Sequence, residues 1–160
     1  DDLTPLHQLT DAIAASKMHL YKPMPSYRMG GGRGFFGPPK NVGQDHPGGV
    51  MVHYYVKEKP ADSVELKLVF MEANGAEIQT YSSKNKKQKR LFEKMKAGTN
   101  RFVWNMRYKD AKSFEGLIMW AGSTRGPAAV PGMYKVRMVV GNDSMEQDFE
   151  ILKDLSLIHI

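Results

Sequence analysis

The chain has 160 residues, 41% hydrophobic and 25% charged, with a formal net charge of +6 and no cysteine. That length makes one domain able to bury roughly 70% of its unfolded surface. The lack of cysteine excludes disulfides, thiolate nucleophiles and cysteine-ligated metals together, and no window reaches the ~18 consecutive apolar residues of a membrane-spanning helix.

The first residues, Asp1-Asp2, show neither an initiating methionine nor a signal sequence, so the chain reads as part of a longer polypeptide. Thr4 is placed to cap a helix and Pro5 to open it, where a missing N–H costs nothing. Leu6, Leu9 and Ile13 follow at helical spacing, and Ala12, Ala14 and Ala15 are strong helix formers, which predicts one helix over about 5–16. His19 to Tyr21 reads as a short strand stopped by Pro23 and Pro25. Residues 30–49, rich in glycine and proline, read as a long loop. Gly32-Arg33-Gly34-Phe35-Phe36-Gly37 spells the dinucleotide fingerprint, but no strand precedes it and Pro38-Pro39 blocks a following helix. No cofactor is expected there.

From Val50 onward the pattern has a period of two. Val50, Val52, Tyr54 and Val56 share one face, then Val64, Leu66, Leu68 and Phe70. Asn74-Gly75 signals a hairpin with a type I′ turn into 76–81. After 91–96, Phe102, Trp104 and Met106 alternate with Arg101, Val103 and Asn105. Leu117 to Ala121, which holds Trp120, reads as a short apolar strand between loops at 108–116 and 122–131. Tyr134, Val136, Met138 and Val140 form another alternating face, and 145–152 a last strand after the turn at Gly141-Asn142-Asp143. About eight short strands and one helix predict a mainly β fold. The expected form is a β-sandwich or a barrel, and sandwiches of this size are common.

Little in this pattern looks like chemistry. His7, His19, His46, His53 and His159 are scattered without metal-ligand spacing, and His53 falls on the second face of its strand. Glu58, Glu65, Asp148 and Glu150 fall in loops or on outward strand faces, where no apolar setting raises a carboxyl pKa for glycosidase work. Ser83-Lys84-Asn85-Lys86 spells S-x-x-K away from any helix start. Catalytic, cofactor and metal residues are therefore not expected. Lys84, Lys86, Lys87, Lys89 and Arg90 lie within seven residues and are a candidate polyanion contact. A solvated loop is the plainer reading, and no nucleic-acid partner is expected without interleaved aromatics. Trp104 alternates with core positions, whereas Trp120, with Arg125 nearby, is a candidate glycan or interdomain contact.

Val64-Glu65-Leu66-Lys67-Leu68, Asn74-Gly75, the run Ala97 to Trp104, and Pro131-Gly132-Met133-Tyr134-Lys135-Val136 form an ordered set. Together they resemble the immunoglobulin-like domain of the flagellar hook-capping type. Asp1 to Leu6, Leu20 to Pro23, Tyr27-Arg28, 52–59 and Arg125-Gly126-Pro127 resemble the region that follows the β-propeller in sortilin-like, neuraminidase-repeat proteins, often labelled glycosyl hydrolases. The resemblance covers roughly residues 1–154. It implies an immunoglobulin- or fibronectin-III-like antiparallel β-sandwich at 50–154, a propeller-linking segment at 1–49 with one short N-terminal helix and a long Gly-rich loop, and a non-catalytic accessory module of an exported bacterial protein. The implied partner is an N-terminal β-propeller of the same polypeptide, with glycan binding through exposed aromatics as the alternative and a glycan-active enzyme fragment as the third reading. Leu155 to Ile160 departs from the pattern and resembles a translated sequencing adapter, a non-native tail.

Overall fold

Over 98–104 and 132–140 residues that alternate in sequence alternate in burial, whereas 50–56 is buried on both faces, in the computed structural model, which describes residues 3–28, 48–61, 63–86, 88 and 91–154. Two short helices, α1 (Thr4–Gln8) and α2 (Asp11–Ala15), lead into β1 (Met18–Leu20) and β2 (Ser26–Tyr27). The remaining strands are β3 (Val50–Val56), β4 (Leu66–Glu72), β5 (Glu77–Ser82), β6 (Gly98–Trp104), β7 (Gly132–Val140) and β8 (Asp143–Leu152). They form two sheets, ordered β1-β3-β6 and β2-β8-β7-β4-β5. This is a β-sandwich with a short helical lead, and its sheets divide the strands as immunoglobulin-type sandwiches do. All pairings are antiparallel except β2 with β8, where Ser26 lies beside Ile151 and Tyr27 beside Leu152.

The sheets meet through their alternating faces. Val50, Val52, Tyr54, Phe102 and Trp104 on one side face Leu66, Leu68, Phe70, Val136, Met138 and Phe149 on the other, all buried. Trp104 is fully enclosed and stacks on Phe70 at 4.6 Å between ring centroids, with the Phe149 ring edge-on to both. Each such ring pair adds about 0.5–1.5 kcal/mol beyond its buried area. Trp104 is thus the core residue its alternation predicts. Gly49 makes the close approach behind it possible, because a Cβ there would stand 2.3 Å from the Trp104 carbonyl oxygen.

Several local expectations are corrected. The single helix over 5–16 is two helices, because Leu9 and Thr10 are extended. The Thr10 hydroxyl accepts the Ile13 N–H at 3.3 Å and starts the second helix, while Leu3 and not Thr4 occupies the first cap position. Gln8, at the end of α1, is held by a two-way amide bridge to the backbone of Lys22. The 73–76 turn is not type I′: of its two central candidates only Gly75 has a positive φ, +89°. Asn74 instead accepts the Ala76 N–H through Oδ1 at 2.8 Å, and the register shifts between Phe70 and Met71. Of the segments 91–96 and 117–121, the latter, expected as a strand, is not one. The former crosses between sheets as turns anchored by Phe92, which packs on Phe102. His53, on the outward face of β3, is buried. Most of the Gly-rich loop, residues 29–47, lies outside the described residues.

Strand direction sorts the connections into two ends. At one lie the start of β3, the 73–76 turn, the connection 105–131 and the end of β8. At the other lie residues 57–65, the β5–β6 connection at 83–97 and the turn at Gly141-Asn142.

Candidate interaction surface

The long connection after Trp104 is built in two parts. Met106, at φ +55°, turns the chain and buries its side chain in the core. From there the outgoing leg pairs with the returning one. Ala129 N donates to Met106 O at 2.7 Å, Tyr108 N to Pro127 O at 3.0 Å, and Ala111 N to Thr124 O at 2.8 Å. Side chains brace this stem. The Arg107 guanidinium donates to Gly126 O at 2.8 Å, and the Gly126 N–H donates to Asp110 Oδ1 at 2.9 Å. The Tyr108 hydroxyl donates to Glu72 Oε1 at 2.7 Å, tying the stem to the end of β4. That bond to a carboxylate pushes the phenol's pKa up to about 12. Lys109 pairs with Glu77 at 2.8 Å on the neighbouring strand.

Beyond the stem, residues 112–123 are all exposed, and they include the two most exposed large apolar side chains among the described residues. Trp120 is 98% exposed, Ile118 91% and Phe114 70%, with Leu117 and Met119 partly covered. Gly116, at φ +81°, and Ala121, at φ +55°, bend the tip, and Met119 folds over Gly122. The expected strand through Trp120 fails because its apolar run has no neighbouring strand among the described residues to pair with and is flanked by these bends. Trp120 makes no ring contact among the described residues. Arg125 lies exposed on the returning leg, with its N–H donating to Ser123 Oγ at 3.2 Å. The structure therefore places Trp120 and Arg125 on one connection, at the end of the sandwich away from the basic run.

In that run, Lys84 and Lys86 are exposed, and the Lys84 ammonium donates to Ser63 O at 2.7 Å. Lys87, Lys89 and Arg90 lie outside the described residues. Next to the run is a group that sequence reading missed. An open cleft of about 280 Å³ runs between residues 91–96 and the edge of β6, with Lys94, Lys96 and Arg101 on its walls. Asn100 fixes its shape: its amide accepts the Lys96 N–H at 2.8 Å and donates to Lys96 O at 2.7 Å and Gly98 O at 2.9 Å. The signal in the sequence is the charge count. From Lys84 to Arg101 stand eight basic residues and one acid, Glu93, leaving 15 basic and 16 acidic residues elsewhere.

The shifted carboxylates move in the direction opposite to that of a general acid. Glu65 is held below the ordinary value by the Ser82 hydroxyl and by Lys67. Glu77 is lowered by Lys109, and Glu146 by Arg137 and Lys135. Among the described residues no three His, Asp or Glu side chains gather as metal ligands, and no helix is long and apolar enough to cross a membrane. No protein-family model, curated protein or solved structure matches the chain.

Proposed function

We propose that the chain is a non-catalytic interaction module, a β-sandwich that docks through the apolar tip at 112–123. The observation that carries this reading is an exposed cluster of Trp120, Ile118 and Phe114 on a stem braced by backbone and side-chain hydrogen bonds. Apolar side chains held out in water by a rigid support lose little conformational freedom on docking, and clusters of this kind mark sites of association. The resemblance to the modules that follow sortilin-like propellers supplies the partner: an N-terminal β-propeller of the same polypeptide in an exported protein, parent of a type often labelled a glycosyl hydrolase.

The test is a binding measurement between this chain and the separately produced segment encoded upstream of it. Association that moves Trp120 emission to shorter wavelength and is lost in Trp120→Ala with Ile118→Ala supports the reading. An upstream sequence without propeller repeats, or association indifferent to both substitutions, overturns it. The exposure of Trp120 also favours a second reading, a carbohydrate-binding module that stacks a sugar on the indole. Glycan binding lost in Trp120→Ala, with no affinity for the upstream segment, would favour that reading.

A further inference from the structure

We propose that the cleft between residues 91–96 and the edge of β6 binds an acidic polysaccharide, its sulfate or carboxylate groups seated against Lys94, Lys96 and Arg101. This site lies at the end of the sandwich opposite the apolar tip, so it is independent of the docking surface above.

Three observations converge on it. The first is charge: the segment from Lys84 to Arg101 carries more net positive charge than the whole chain. The second is availability. Lys94, Lys96 and Arg101 make no ion pair among the described residues, so no neighbouring carboxylate offsets their charge. The third is form. The cations line a concave cleft whose turn is locked by Asn100, so the site is preshaped and not merely a set of mobile lysines on an open face.

The shape of the cationic surface argues for a chain-like ligand. Lys84 and Lys86 stand exposed on the same connection, further cations of the kind a polymer with repeated charges can use. The lining argues against nucleic acid. Single-stranded nucleic acid binds by stacking bases on exposed rings, and the ring beside this cleft, Tyr54, is buried in the core. The fold argues against a bilayer. The exposed apolar tip that would insert into one points from the other end of the sandwich, and the cations here line a recess.

The experiment compares the chain with Lys94→Gln, Lys96→Gln, Arg101→Gln triple and Arg101→Gln single variants. The probes are a heparin oligosaccharide, oligogalacturonate, single-stranded oligothymidylate and phosphatidylglycerol vesicles. The expected result is binding to at least one of the two polysaccharides that weakens with salt, by roughly tenfold in the triple variant, with a shallower salt dependence. Heparin against oligogalacturonate separates sulfate from carboxylate recognition. Lys153→Gln, exposed just past β8 at the opposite end, is expected to bind as the parent does. Equal or tighter binding to oligothymidylate or to vesicles overturns the proposal, as does polysaccharide binding unchanged in the triple variant. If the triple variant fails to fold, the single variant decides: unchanged affinity and salt slope would reject the site. Loss of upstream-segment binding with polysaccharide binding intact would reject the docking reading alone.

Discussion

A Cβ built on Gly126 would stand 2.2 Å from the carbonyl oxygen of Tyr108. The two legs of the stem meet so closely at this point that no side chain fits between them. Gly126→Ala must push the legs apart, breaking the Tyr108–Pro127 bond and the Gly126–Asp110 bond beside it. The expected cost is about 1–3 kcal/mol in chemical denaturation, together with faster local motion of Trp120 read by fluorescence anisotropy. An unchanged anisotropy would show that the stem does not hold the tip.

The two tryptophans report from opposite environments, Trp104 enclosed and Trp120 bare. Trp120→Phe is expected to leave a short-wavelength emission that acrylamide barely quenches. Trp104→Phe is expected to leave a long-wavelength, readily quenched emission. Trp104→Ala removes the ring stacked on Phe70 and is expected to cost about 3–5 kcal/mol, whereas Trp120→Ala is expected to leave the denaturation midpoint nearly unchanged.

Asn100 holds Lys96 and Gly98 through three hydrogen bonds. Asn100→Ala is expected to lower stability by about 1–2 kcal/mol and to speed amide exchange at Lys96, measurable by NMR. Retained protection there would mean that the turn is held by the 91–96 backbone alone.

Acid sensitivity follows from the carboxylates of the second sheet. Glu146 is lowered by the hydrogen bond from Arg137 first and by Lys135 as well, and Glu65 by Ser82 and then Lys67. Both carboxyls are more acidic folded than unfolded, so their contribution is fully present above the ordinary value of 4.5 and is lost as pH falls through the lower folded value. Thermal denaturation is therefore expected to show a steepening loss of stability below that value. In Glu146→Gln with Glu65→Gln the loss should be smaller; an identical acid profile would assign it to other groups.

How far the sequence disclosed this arrangement depends on which force set each segment. Phe102 and Trp104, or Tyr134, Val136 and Met138, are placed by burial on one face, and burial writes a period of two directly into the chain. Trp104 was legible as core for that reason. Leu117 to Trp120 was not legible as an exposed tip. An apolar run carries the same signature in a strand as in a docking surface, and only the partner strand, absent here, tells them apart. Ser26-Tyr27 pairs with the end of β8 through contacts too far along the chain to leave a local trace. The break between α1 and α2 rests on one hydroxyl, that of Thr10, which competes with the helix for its own backbone. The cleft at Lys94, Lys96 and Arg101 was half legible: its charge excess stands in the sequence, but its shape depends on Asn100 reaching back four residues.

The parallel pairing of β2 with β8 also sets an order of events on the ribosome. Strand β2 is made early, yet its neighbour β8 comes last in chain order among the described strands, and Gln147 reaches back 127 residues to donate to Leu20 O. Until β8 emerges, β2 has no partner strand among those described, and the Phe149 ring that meets Phe70 and Trp104 edge-on is not yet in place. A chain stopped before about residue 143 would therefore present open edges to chaperones and proteases.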